Sequence, residues 1–555
     1  MQKQHSTALR PYQPNAPRKR STPIMHQRYL RPMNAGSITS SFGGKLVPLT
    51  AVGLHREDGM RSSTFAINVQ MAETANMLLN PVRVTARAFF VPKLAFDRFV
   101  DMGTIDRSFN EQTEIDGSTV PWFEPELDPT KEFYNTIGLH GTTHNTDYLE
   151  AYNQIWNHIA GHMSPSLTEV DVADGTLKPA FWSNTQMKHV KPTFDDALLE
   201  GEIPITFSAG GDLPVRSQTA PNSAQTGIRG PGATVDVTPP VEDGAYNWTG
   251  EVWAELEEGS VQMSLANIKL ARETAAWARL RTQFQGLSED WMMDQLLAGV
   301  RVRDENLRMP IELDMAETVI GMSERYATDG ANLDQSVVDG RSTMTLQCGI
   351  PATACGGVFM VVAQALPEQL YERQRDAYAY ASSVADVPNR TADELDPQPV
   401  DLCLNGEVDE SHSTPNDLFG YRPLNAKWLK RHVSVGGKYY RPDPAAPWTE
   451  DRNRLWTPDV VDPQLGPDFY LSTTLSHNVF VTSTEDPFEW WCSGIAQVEG
   501  LTYFGPALRE GLDDYDKVLE QVDAERLAGD GTDTSASGVS TASESTPEPS
   551  KKGGK

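Results

Sequence analysis

Several stretches of the chain alternate apolar and polar residues with a period of two. Residues 64–71 set Phe65, Ile67, Val69 and Met71 against Ala66, Asn68 and Gln70. Residues 82–91 set Val82, Val84, Ala86, Ala88 and Phe90 against Arg83, Thr85 and Arg87. This alternation predicts strands with one buried face. Residues 45–52 (KLVPLTAV) are also strand-like. Pro48 cannot donate to a ladder, so an edge position or a bulge is expected there. Residues 202–208, 342–350, 356–366 and 469–484 read as further strands.

Helical spacing is confined to two places. Over residues 147–162, Leu149, Tyr152, Ile155, Trp156 and Ile159 recur at intervals of three and four. A second helix is predicted from the capping residue Ser264 to about Phe284. Its Leu270, Trp277, Leu280 and Phe284 share a face, with Leu265 and Ile268 beside it. Strand and helix do not alternate, so βαβ winding is excluded. The strands fall into an early and a late set separated by long insertions. That order predicts a mainly β, antiparallel sandwich whose first and last strands pair.

Three segments lack such patterning. Residues 1–40 have few large apolar side chains and several prolines, and read as an extended arm. Residues 209–250 are almost free of large apolar residues, as in an exposed functional loop or a disordered insert. Residues 525–555 are of low complexity and are expected to be a disordered tail. Residues 41–524 are left as one domain with large inter-strand insertions.

Charge sharpens this division. The first 56 residues hold nine Lys and Arg and no Asp or Glu, so the rest of a chain of net charge −29 carries −38. A basic arm on an acidic body implies two surfaces with different partners. Arg10, Arg18, Lys19, Arg20, Arg28 and Arg31 are the candidates for phosphate contact, with Tyr12 and Tyr29 interleaved as rings that stack bases. The other reading is a disordered or subunit-bridging arm whose charge only offsets the acidic body. No segment approaches the run of about 20 apolar residues that spans a bilayer. The first thirty residues show no apolar signal core, so neither membrane insertion nor ordinary secretion is expected. The four cysteines form no C-x-x-C pair and read as reduced thiols.

Catalytic signatures are weak. His140, His144, His158 and His162 form two pairs at i, i+4 spacing that could serve a zinc ion. The second pair reads H-I-A-G-H, without the Glu of H-E-x-x-H or a nearby carboxylate ligand, and packing histidines are the better account. FGGK at residues 42–45 lacks phosphate-loop spacing, and Asp171, Asp174 and Gly175 lack the calcium-loop frame. No metal site, cofactor or catalytic residue is therefore assigned.

As an ordered set, several segments resemble a known family. GKLVPLTAV, TFAINVQMAE and VRVTARAFFVPKLAFDRF are similar to the amino-terminal strands of major capsid proteins of microviruses (Microviridae). These are small tailless phages with single-stranded DNA, and the gokushovirus type is nearest in pattern. YNQIWNHIA, EIPITFSAGGDLPV, SLANIKLARETAAWARLR, FGYRPLNAKWLKRHVSVGGKYYRP and HNVFV follow in the family's order. QFQGLSEDWM stands where the family has G-G-T-R-Y, and the polar tail is an addition, so a divergent member is expected.

The resemblance implies an eight-stranded antiparallel viral jelly roll with long loop insertions and a few helices. It implies a homo-oligomeric T=1 icosahedral shell, assembled in the bacterial cytoplasm and found in the virion. The shell would enclose circular single-stranded DNA with a small basic internal DNA-binding protein. Residues 209–250 would then project outward toward a host surface receptor. Trp122, Trp182, Trp490 and Trp491 are candidates for contacts between copies or for the core. Two other readings are carried: a metal-dependent hydrolase using the histidines, and a carbohydrate-binding sandwich with exposed Trp.

Overall fold

The structure, a computed structural model, describes residues 27–503 except 75, 115–116, 165, 184–186, 188–189, 193–214, 218–251, 255–264, 283–289, 301–306, 327–335, 390–399, 430–432, 444–449 and 459. Its strands are β1 (Tyr29–Ser41), β2 (Val47–Leu54), β3 (Gly59–Thr74), β4 (Val82–Pro92), β5 (Val215–Ser217), β6 (Val252–Ala254), β7 (Ile311–Val319), β8 (Gly321–Tyr326), β9 (Ser336–Ile350), β10 (Gly357–Pro367), β11 (Val400–Leu404), β12 (Leu418–Pro423) and β13 (Phe488–Gly500). Its α-helices are α1 (Met102–Phe109), α2 (Glu132–Ile137), α3 (Asp147–Met163), α4 (Leu265–Thr282), α5 (Asp290–Leu297), α6 (Asn405–Val408) and α7 (Pro467–Tyr470). None among the described residues is long and apolar enough to cross a membrane.

The strands build a five-stranded sheet, β1-β13-β3-β9-β8, and a four-stranded sheet, β2-β10-β4-β7. The chain is mainly β and its ladders are antiparallel. As expected from the early and late strand sets, β13 lies between β1 and β3, and β10 lies between β2 and β4. Leu30–Gly500 forms one compact unit. Outside that unit, the Tyr29 and Tyr503 rings meet edge-on at 5.4 Å.

One parity of each strand fills the space between the sheets. Phe65, Ile67, Val69 and Met71 of β3 and Trp490, Cys492, Ala496 and Val498 of β13 share one core with Val84, Ala86, Ala88 and Phe90 of β4 and Phe359, Val361 and Ala363 of β10. Phe65 stacks on Phe359 at 5.2 Å, joining the two sheets. Pro48 sits in an edge strand at a register shift opposite Val362, so its missing donor costs no ladder bond.

The four-stranded sheet is buried on its other face too. Phe89, Val91, Val358, Met360 and Val362 pack under α3, whose Leu149, Tyr152, Ile155, Trp156 and Ile159 form the facing stripe. The Tyr152 hydroxyl donates to the Leu46 carbonyl at 2.7 Å, and the Trp156 indole donates to Pro179 at 3.0 Å. Every residue of β10 is buried as a result. The FGGK turn is structural. Gly44 has φ of +80°, a conformation that favours glycine, and the Lys45 ammonium donates to the Leu177 carbonyl.

Several expectations are corrected. Residues 469–484 are not a strand. Pro467 starts a short helix, and the segment then turns so that Leu475, Val479 and Phe480 join the core. The last strand is β13, whose alternation was diluted by Cys, Ser, Gly and Ala. The arm also ends earlier than residue 40, because Tyr29–Ser41 forms the edge strand β1, with Met33 and Ala35 against the core. β7 and β8 were not foreseen. Val215–Ser217, inside 209–250, pairs with Val252–Ala254 just beyond it, so the stretch between them starts and ends side by side. The expected strand 202–208, the tail 525–555, Ser264 and Phe284 lie outside the described residues.

Candidate functional surfaces

Among the described residues, no element covers the outward face of the five-stranded sheet. The ladder registers set its side chains in cross-strand rows: Glu489–Gln70–Arg341, Trp491–Asn68–Thr343, Ser493–Ala66–Thr345 and Ile495–Thr64–Gln347. The Thr343 hydroxyl donates to the Asn68 side chain at 2.8 Å, tying one row together. Trp491 and Ile495 are more than half exposed, at 56% and 57%, and Ile38 on β1 is exposed at 83%. In a chain of net charge −29 these four rows hold one Glu and one Arg. Within these rows the face is thus nearly uncharged, polar and lightly studded with large apolar groups, while beyond them the same parity carries Glu499 of β13 and an Arg325–Asp339 pair joining β8 to β9.

The expected phosphate-contact residues are divided. Arg10, Arg18, Lys19 and Arg20 lie outside the described residues. Arg28 is exposed just before β1. Arg31 has a partner within the chain. Its guanidinium donates to Asp58 at 2.6 Å, the carboxylate is fully buried, and the His55 amide also donates to it at 3.0 Å. A phosphate contact from Arg31 would have to break that pair. The structure makes Arg31 a latch between the edge strand and the β2–β3 turn.

The tryptophans sort by parity and place. Trp490 and Trp182 are core residues, at 1% and 3% exposure, while Trp491, the next residue of β13, faces outward. Trp122 packs among Phe99, Phe109 and Phe123. There it roofs a buried ionic knot. Lys93 and Arg98 both pair with Asp147, and Arg98 also takes Glu150 at 2.8 Å. The Lys93 ammonium lies 4.5 Å from the Phe123 ring centre and 5.0 Å from that of Trp122. Burial outweighs the Asp147 attraction and pushes the Lys93 amine down to about 8.

The histidines divide between packed rings and exposed ones. His144 stacks on Tyr134 at 4.9 Å, and His140 is exposed. The His158 and His162 rings lie 4.4 Å apart, and His162 Nδ1 is 2.8 Å from the His158 carbonyl. Burial, then the neighbouring His162, lowers His158 to about 4. Among the described residues no group of three His, Cys, Asp or Glu is arranged to hold a metal ion. Asp171 and Asp174 accept local backbone amides, and Asp174 pairs with Lys178.

A cleft of about 410 Å³ opens beside β11 and β12, walled by Tyr378, Tyr380, Arg375, Arg422, Lys427 and Trp428. Its charges are mutually engaged. Arg422 pairs with Glu407 at 2.5 Å, and the Ser382 and Ser383 amides hold the Asp386 carboxyl below its usual range. The Cys403 thiol is pushed up to about 12 by burial, away from a nucleophile's range. Sequence reading passed over this cleft, although its wall carries Arg375, Tyr378 and Tyr380 close together in the chain.

No protein-family model matches this chain, and no curated protein matches it.

Proposed function

We propose that this protein is the major structural tile of a small icosahedral virion, a viral jelly roll whose copies enclose single-stranded DNA. The observation that carries the reading is the outward face of the five-stranded sheet. Its edge strand β1 directly continues the basic segment, so a nearly neutral surface and a cationic arm start from one edge. Polyanion repulsion from the acidic body makes that edge the favoured side for DNA. The ordered resemblance to microvirus capsid proteins supports the same reading. Exposed large side chains such as Leu127, Tyr378, Val384 and Trp491 offer apolar area for neighbouring copies. Weak contacts suffice when closure makes many of them at once.

The test is expression of the full chain alone and together with its phage partners, followed by sedimentation and negative-stain imaging. The expected result is closed particles of uniform size that protect single-stranded DNA from nuclease. A chain that stays monomeric in both settings and never enters a particle overturns the reading.

A further inference from the structure

Helix α4 carries its side chains in an unusual order. Ala275 is buried, while Trp277 is 55% and Leu280 42% exposed. On a helical wheel Lys269, Glu273, Ala276, Trp277, Leu280 and Arg281 fall within one stripe, and Ala275 lies on the opposite side. All six residues of the stripe are exposed. The small residue is turned inward and the indole outward, which a lone chain gains nothing by doing.

The stripe is self-complementary in one direction only. Two α4 helices laid antiparallel about a twofold axis at Trp277 bring Glu273 of one copy opposite Arg281 of the other, twice. Within one copy Glu273 meets Lys269 at 3.6 Å, a solvent-exposed pair that leaves it able to take a second cation. Parallel helices would instead oppose Glu273 to Glu273 and Arg281 to Arg281. Ala276 next to the axis permits close approach, and Leu280, about 4.5 Å along the helix, reaches the partner's indole. We infer that α4 forms an isologous twofold contact between two copies of this chain, with paired Trp277 rings at its centre. The contact rests on the shell reading for its setting, between neighbouring tiles, and identifies which surface meets across the twofold axis.

The experiment uses the full chain with Glu273→Arg, Arg281→Glu and the double exchange, and with Trp277→Cys. Association is read by analytical ultracentrifugation and particle yield by imaging. Each single exchange is expected to weaken self-association by about tenfold, and the double exchange to return it to within about threefold of the parent. Trp277→Cys is expected to give a disulfide-linked dimer on mild oxidation, since facing residues at a helix crossing come within reach of a disulfide. The native Cys355, Cys403 and Cys492 are buried and stay out of that reaction, and the half-buried Cys348 is replaced by Ser in the test protein so that only the introduced thiol reports. Particles that form equally well from all three charge variants, with no cross-linked dimer, overturn the α4 contact and leave the shell reading standing. A dimer that shows the exchange and rescue, in a protein that never builds particles, supports the contact and overturns the shell.

Discussion

Gly494 faces Phe65 across the β13–β3 ladder, on the core side of both strands. A methyl group placed there would lie 2.1, 2.6 and 2.7 Å from Cδ1, Cε1 and Cγ of the Phe65 ring. Non-bonded carbons settle about 3.5–4.0 Å apart, so the overlap exceeds about 1 Å. The ring has no retreat, because it is fully buried and stacked on Phe359 of the opposite sheet. Gly494→Ala should therefore cost about 3 kcal/mol, the upper end of ordinary overpacking. At about 2.1 cal/mol/K of unfolding entropy per residue, a unit as long as Leu30–Gly500 loses about 3 °C of Tm for that cost. Phe65→Leu removes the ring edge that the methyl would strike. In that background Gly494→Ala should lower Tm by about 1 °C or less. Differential scanning calorimetry of the four proteins measures the coupling. Equal drops in both backgrounds would refute the claim that the ring occupies the space Gly494 leaves open.

Four further outcomes are expected. Lys93 holds its proton less tightly when folded, about 8 against 10.5 for an ordinary lysine. The unfolded chain thus carries more protons between those values, and this residue makes stability rise with pH across that window, by on the order of 3 kcal/mol in all. Urea midpoints at pH 7.5 and 10 should diverge less in Lys93→Met than in the parent, and identical divergence removes the buried-amine account. Arg31→Ala should cost about 3 kcal/mol by stranding a buried carboxylate, seen in the urea midpoint. Changing Arg18, Lys19 and Arg20 to Glu should instead leave that midpoint alone and lower packaged DNA, and unchanged DNA content sinks the arm's assignment. Trp491→Ser should move Tm by no more than about 1 °C, as for other surface changes, yet reduce particle yield; full yield takes the outward face out of assembly.

The sandwich was legible where one side-chain parity is large and the other small or polar. β3 and β4 announce themselves through Phe65, Ile67 and Val69, and through Val82, Val84 and Phe90. β13 follows the same rule, but Cys492, Gly494 and Ala496 hold the inward positions, because Phe65 and Phe359 already fill that space. Hydropathy alone does not see a strand whose inward residues are small to fit a neighbour's large ring. β1 was missed because an edge strand with one half-packed face needs only Met33 and Ala35. Residues 469–484 misled for the opposite reason, since their apolar groups serve turns that cap the core beside Trp456. The Arg31–Asp58 pair could not be foreseen, because its partners are 27 residues apart, one on β1 and one in the β2–β3 turn, and only the assembled sheet brings them together.

The two sheets differ in which parities they spend on apolar residues, and that difference decides which one is covered. β4 and β10 are apolar on both parities where α3 lies over them: Phe89, Val91, Met360 and Val362 alternate with Ala88, Phe90, Phe359 and Val361. Such a sheet is soluble only beneath another layer, and the same chain supplies that layer. β3, β9 and β13 turn Ser, Thr, Asn and Gln outward, so their sheet tolerates water while the protein is a single copy. Trp491 and Ile495 interrupt that surface, and Ser493 keeps them in separate rows. Spaced in this way they remain too sparse to drive indiscriminate association, yet each offers an anchor when a shaped partner covers the face. On the shell reading proposed above, a tile that stays dissolved before assembly and loses water during it needs this balance on one side, with its continuous apolar strands hidden on the other.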